Sequence, residues 1–265
     1  MNPVVYARLQ YGDMVRRVGG FFTYFGGLAI LSAETVFWTI VPPYRKRHIL
    51  EQMMKMGVAS FPIVFLISLF TGIVLALQSA HQMQRVSTEM YIASLVSMSL
   101  VRELGPVMVA LIVAGRCGAA ITAELGTMKV TEQIDALETL SADPVSYLVV
   151  PRFLALLIML PLLTIYADFF GIVGGYLIGV YKLSIPPSMY VKMTFDPMSV
   201  KDLITGSIKS LSFAWIISIV SCYEGMNSDG GAEGVGKATT RSVVNSFIIV
   251  IIVDCFFTAL FYFFG

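Results

Sequence analysis

Residues 57–80 read GVASFPIVFLISLFTGIVLALQSA, a run without one ionisable side chain. About 20 apolar residues suffice to cross the hydrocarbon layer as a helix, and a helix satisfies its own backbone groups there. The stretch predicts a membrane span. Outward from it, three further runs have the same character, at 149–180, 203–222 and 243–264. A fifth, 91–123, is long enough for a tilted span although Arg102 and Glu103 lie inside it. The composition agrees, since 57% of the 265 residues are apolar and 13% charged, against roughly 25% charged in a soluble chain. A formal net charge of +1 supplies no basic face for nucleic acid. Cys117, Cys222 and Cys255, an odd number set in apolar runs, predict small buried hydrophobes and no disulfide.

The segment 18–41 is also apolar, but Gly19-Gly20, Gly26-Gly27 and Glu34 interrupt it. Arg16 and Arg17 precede it, and Arg45, Lys46, Arg47 and His48 follow. Basic clusters at both ends suit a helix lying along the cytoplasmic headgroups, because crossing would export one cluster; an ordinary first span is the alternative. Taking 1–56 as a cytoplasmic, interfacial segment and 57–265 as a five-span domain leaves only Arg85, Lys182, Lys192 and Lys201 outside, with Arg102 and Lys209 within spans. The bias predicts an all-α integral membrane protein with its N-terminus inside and its C-terminus outside. No cleavable signal is expected, for the early arginines are not followed by a short apolar core and a small-residue cleavage site.

The outer connections 82–90 and 182–201 are short and predict no external domain. In the inner loop, Val130, Ile134 and Leu137 share a helical face while Glu132, Asp135 and Glu138 fall elsewhere. This predicts an amphipathic helix at about 124–140, ended near Asp143-Pro144, serving either as a solvated linker or as a dock for a cytoplasmic partner. Gly231 to Lys237 fits G-x-x-x-x-G-K, yet Ala238 stands where a Ser or Thr would hold magnesium and no strand precedes it. It reads as a flexible Gly-rich connection. His48 and His81 are isolated, and neither a catalytic centre nor a metal site is expected. Gly171, Gly175 and Gly179 repeat the small-xxx-small spacing of touching membrane helices.

Arg102, Glu103, Asp168, Lys209 and Asp254 fall inside proposed spans, where each costs about 2.5–3.5 kcal/mol unless it meets a partner or water. All five sit from mid-membrane outward, which predicts a polar crevice opening to the outer side. Arg102 and Glu103 point about 100° apart on a helix and cannot pair with each other. The expected partners are Asp168 or Asp254 for Arg102, fixing helix positions, and Lys209 for Glu103. Lys209 shares a face with Thr205 and Ser212, so it is also the candidate to sit beside an anionic phosphate. Pairing between helices and a role along a substrate path are both open on these grounds.

The order of motifs then becomes specific. Leu100-Val-Arg-Glu-Leu-Gly-Pro106, Ala114-Gly-Arg-Cys-Gly118, Ala123-Glu-Leu-Gly-Thr-Met128 and Thr131-Glu-Gln133 are followed by Asp143-Pro, Pro151-Arg, Pro161-Leu-Leu-Thr, Gly171-Ile-Val-Gly-Gly175 and Ala238-Thr-Thr-Arg-Ser-Val-Val244. From about Gly57 to the C-terminus the chain resembles the MlaE (YrbE) permease family of lipid-transporting ABC systems. The resemblance implies a homodimeric, multi-pass permease in the bacterial inner membrane, its C-terminus periplasmic, moving phospholipid between inner and outer membranes and so serving outer-membrane lipid asymmetry. It also implies partners: a cytoplasmic ATPase dimer that uses the ATP and magnesium, a periplasmic MCE-domain protein and, in many systems, a STAS-domain protein. No cofactor is expected on this chain. By the resemblance Arg102, Glu103, Lys209 and Asp254 fall on family-matching charged positions, and they are expected along the lipid path with Leu75, Leu77 and Gln78 of the first span, whose apolar residues would meet the acyl chains between two copies. Glu124, Lys129, Glu132 and Asp135 fall where such a permease meets its ATPase. An ion-coupled secondary carrier would show two matching halves, and an integral-membrane lipid-modifying enzyme would gather its acidic residues in one motif; neither pattern is present.

Overall fold

The computed structural model describes the backbone of residues 3–41, 46–83 and 91–264, and within those ranges the side chains at 19, 20 and 22–263. The protein is 91% helical and has no strand among the described residues. Eight helices follow in order: α1 Pro3–Ile40, α2 Lys46–Met83 and α3 Ile92–Val130, α4 Gln133–Thr139, α5 Val145–Tyr181, α6 Pro187–Phe195, α7 Val200–Met226 and α8 Gly231–Phe264. Five of them, α2, α3, α5, α7 and α8, are long and apolar enough to cross a membrane, and they are the five expected from the sequence. Each outruns its apolar stretch, because hydropathy marks only the part in hydrocarbon while propagation of a helix adds one hydrogen bond per residue in water as well. The Gly-rich stretch from Gly231 is thus the first two turns of α8 and no flexible connection. Residues 84–90 with Arg85, Arg45, and the side chains of Arg16 and Arg17, on which part of the orientation argument rests, lie outside the described residues.

The centre of the bundle is α5, with 67% of its span buried, against 22% for α2 and 11% for α8, which therefore leave wide apolar faces uncovered. Helix α1 is not among the five. It packs on α7 through the Trp215 indole N–H, which donates to Ser32 Oγ at 2.9 Å, and through Tyr24 set edge-on to Tyr223. Its Leu28, Leu31 and Thr35 are buried.

The broadest contact joins α2 to α5, and glycines make it possible. A Cβ on Gly72 would overlap the carbonyl oxygen of Gly171, and one on Gly174 would overlap that of Leu69. Only the first part of the small-residue stripe serves this purpose. Gly175 and Gly179 instead make room for Tyr190, which belongs to α6, a helix inside what the sequence suggested was a plain outer connection. The Tyr190 ring is 2% exposed and stands edge-on to Tyr176 at 5.6 Å.

The Tyr190 hydroxyl is buried without a hydrogen-bond partner, and burial pushes its pKa up to about 12 from 10.0. A raised phenol pKa favours the folded state while the group is neutral, so this contribution is complete below pH 10.0 and is lost as the pH climbs towards 12. Tyr190→Phe is expected to leave the melting temperature near pH 7 unchanged or slightly higher and to flatten its fall above pH 10.0. Thermal unfolding of the detergent-solubilised chain across that range checks it; an equally steep alkaline fall in the variant would refute the assignment.

Candidate functional site

Among the described residues four π turns lie in the long helices, each with a charge in it or within three residues of it. Met53–Gly57 contains Lys55, Leu100–Leu104 contains Arg102 and Glu103, Ala114–Gly118 contains Arg116, and Val145–Val149 precedes Arg152. A π turn inserts one residue into the helical repeat, which re-aims the side chains around it and recurs at functional sites. The Leu100–Leu104 turn presents Glu103 to α7 and α8 together.

There Lys209 is 1% exposed and wholly enclosed by oxygen. Its Nζ donates to Glu103 Oε2 at 2.6 Å, to Thr258 Oγ1 at 2.8 Å and to the Arg102 carbonyl at 3.2 Å. Asp254 Oδ1 completes the shell as an ion pair at 3.0 Å, set outside hydrogen-bond angles. The Thr258 hydroxyl donates to Glu103 in turn. Three helices are joined at one ammonium, whose desolvation two carboxylates offset.

Beside it lies a half-enclosed cavity of about 370 Å³, with Arg102, Glu103, Asp202, Thr205, Lys209 and Tyr262 on its wall. The expected Glu103–Lys209 pair is therefore present, while the expected partners of Arg102 are not. Arg102 Nε donates to Asp202 Oδ1 at 2.7 Å, and Asp202 also accepts from the Ser199 backbone N–H and hydroxyl, closing a capping box at the start of α7. Asp254 belongs to Lys209. Asp168 is buried and pairs with no cation among the described residues; it faces Gly105, where a Cβ would overlap its carboxyl oxygen. The sequence missed Asp202 and Thr258. The S-x-x-D signature at 199–202 and the i, i+4 spacing of Asp254 and Thr258 are the signals that could have found them.

Around this cavity Arg102, Lys201 and Lys209 stand against Glu103, Asp202 and Asp254. The charges balance, which suits a polar or zwitterionic group admitted next to an apolar wall. Leu75, Leu77 and Gln78 do not line it. Leu75 packs on the cluster of Ala76, Ala80 and Ile92, whereas Leu77 and Gln78 are exposed on α2.

At the opposite end, the anticipated single helix over about 124–140 is two. Helix α3 runs to Val130, Glu132 takes the left-handed conformation at φ 57°, and α4 starts at Gln133. The break lets Ile134 bury, 3% exposed, and lets Lys129 Nζ reach Asp135 at 2.8 Å. Glu132 and Asp135 are exposed. Glu124 stands apart from them, between Arg152 at 3.2 Å and Lys55 at 3.3 Å. Cys117 and Cys222 are buried as expected; Cys255 is exposed on α8, because the face it shares has no partner within one chain.

A family model described as Permease MlaE matches residues 49–260. The chain is 48% identical over 243 residues, 92% of each partner, to a protein of Rickettsia prowazekii named Probable ABC transporter permease protein. It is 40% identical over 211 residues, 80% of each, to one of the same description in Synechocystis. To the intermembrane phospholipid transport system permease protein MlaE of Haemophilus influenzae it is 38% identical over 222 residues, 83% of this chain and 85% of that protein.

Proposed function

The chain belongs to the MlaE permease family of ABC transporters, and from that premise we propose that it forms the membrane path for phospholipid exchanged between the bacterial inner and outer membranes. The observation that carries the reading is the cavity beside Lys209: charge-balanced groups beside the rings of Phe261 and Tyr262, on a helix whose outer face is apolar and uncovered, a setting matched to a headgroup with its chains still in apolar surroundings. The name of the Haemophilus influenzae relative supports phospholipid as the cargo. In this reading α1 lies along the cytoplasmic headgroups, the C-terminus faces the periplasm, and an MCE-domain protein receives or delivers lipid there. A STAS-domain protein can join the assembly from the cytoplasmic side.

Two copies complete the path. The uncovered faces of α2 and α8 supply the apolar surface for a second copy and for acyl chains, and Leu77 and Gln78 reach the lipid from there. Each buried CH₂ contributes about 0.8 kcal/mol, so two chains supply ample binding. A cytoplasmic ATPase dimer supplies the ATP hydrolysis and docks at the inner turn between α3 and α4, with Lys129 bridged to Asp135 holding the exposed Glu132 in place.

Reversing Glu132 and Asp135 to lysine together is expected to abolish co-purification of the ATPase with tagged chain while leaving the permease folded. Recovery of the ATPase at wild-type yield would rule the docking out. The cargo is tested separately, by mass spectrometry of lipid retained on the intact complex; a complex that carries no phospholipid, and moves none between vesicles with ATP, would sink the reading.

A further inference from the structure

A second cavity, of about 380 Å³, lies at the other end of the bundle and is lined by Gln52, Lys55, Met56, Arg116, Ile121 and Glu124 among others. Its size falls in the range of small-molecule sites. Two of the π turns line it and a third lies behind it. The turn at Met53–Gly57 brings Lys55, that at Ala114–Gly118 brings Arg116, and the one at Val145–Val149 leads into Arg152 behind Glu124.

Its charge does not balance. Lys55, Arg116 and Arg152 meet a single carboxylate, Glu124, which Arg152 and Lys55 already share. Arg116 has no carboxylate partner among the described residues; its Nη1 donates to Ser60 Oγ at 2.6 Å and to Cys117 Sγ at 3.9 Å, and its Nε and Nη2 make no hydrogen bond among the described residues. Two polar atoms here are buried without a partner, Oε1 of Gln52 in the cavity wall and Nε of Arg152, the latter on a residue 4% exposed. An arginine fork, an ammonium and an amide that can turn its NH₂ inward are the donor set for a phosphate oxygen. The cavity beside Lys209, by contrast, has as many carboxylates as cations around it. Farther along α2, Ile63, Leu66 and Phe70 are exposed at helical spacing, an apolar track leading away from the charges.

We propose that the cavity between Lys55 and Arg116 binds the phosphate of an anionic phospholipid headgroup from the leaflet at that end of the bundle. It is a second lipid site, distinct from the one beside Lys209, with a preference for net negative headgroups that the balanced outer cavity lacks. The inference rests on the proposed placement of this end at the cytoplasmic leaflet. It does not require transport, because binding is read without ATP.

A photocrosslinker at Ala120, which also lines the cavity, reads occupancy in the intact complex reconstituted into nanodiscs of phosphatidylglycerol or of phosphatidylcholine. Capture of phosphatidylglycerol is expected to exceed that of phosphatidylcholine. It should fall about tenfold for each cation removed in Lys55→Gln and Arg116→Gln, as expected for loss of one charge-assisted contact, and should persist in Arg116→Lys. Lys55 is 64% exposed at its side chain, so Lys55→Gln reads the site even where the arginine variant fails to fold. Equal capture of the two lipids, or capture unmoved by Lys55→Gln, would overturn the proposal. So would displacement of the label by free glycerol phosphate in detergent as effective as by lipid, which would make the ligand a soluble phosphate ester. A complex that binds here but moves no lipid with ATP leaves this site standing and counts against the transport reading alone.

Discussion

Lys209→Met is expected to lower the folded yield of the chain sharply. The substitution keeps an unbranched apolar stem and removes the ammonium with its three hydrogen bonds, leaving Glu103 and Asp254 facing each other with no cation between them. Breaking one partner from a buried pair typically costs about 3–5 kcal/mol, against a total stability of about 5–15 kcal/mol for an ordinary domain; Asp254, 20% exposed at its side chain, is stranded more fully than Glu103, which at 40% is partly screened by solvent. Neutralising the stranded groups in the triple variant Lys209→Met, Glu103→Gln, Asp254→Asn should restore most of the folded yield, because a neutral core carries no such penalty. Arg102→Met should cost about 1 kcal/mol or less, since Arg102 is 47% exposed at its side chain and Asp202 keeps both bonds from Ser199. Monodispersity by size exclusion and thermal midpoints in one detergent decide it. The order is the reverse of that expected from sequence, where Arg102 was the structural cation and Lys209 the replaceable one. A well-folded Lys209→Met chain beside a lost Arg102→Met chain would refute it.

The second large effect is steric. Gly72→Ala places a methyl group on the carbonyl oxygen of Gly171, and that oxygen is backbone, so no rotamer change relieves the overlap. The α2–α5 contact must open along its length, at a cost of about 1–3 kcal/mol and occasionally more for overpacking; Gly72→Val should abolish folding. Gly26→Ala is the matched control, for a Cβ there meets nothing within 4 Å and a helical alanine gains roughly 0.5–1 kcal/mol over glycine. Melting temperatures of the two alanine variants should move in opposite directions. A Gly72→Ala chain as stable as the parent would mean that α2 and α5 are not in this register.

The spans were legible because hydropathy responds to burial in lipid over a whole helix, a signal that survives local irregularity. The Lys209–Glu103 pair was legible because sign and depth left few choices. The partner of Arg102 was not, for two reasons with the same root. A regular 3.6-residue repeat gives the wrong azimuth for Arg102, which sits in a π turn that shifts the phase, and its partner Asp202 lies in the first turn of α7, not among the charges deep in spans. Asp168 looked available by depth alone, yet it faces the Gly105 backbone. The break at Glu132 carried no glycine to announce it. It follows from Ile134 being drawn into the core, a tertiary preference that local spacing does not encode.

Helix α3 spans 39 residues, about 58 Å at 1.5 Å per residue, nearly twice the hydrocarbon thickness of about 30 Å. The Ala114–Gly118 turn divides the stretch from Glu103 to Val130 into two arms of roughly 20 Å each. A rigid rod pivoting there is a lever of nearly unit mechanical advantage. A tilt of roughly 10° carries both ends about 3.5 Å in opposite directions, enough to part Glu103 from Lys209 at one end for a displacement of equal size imposed on α4 at the other.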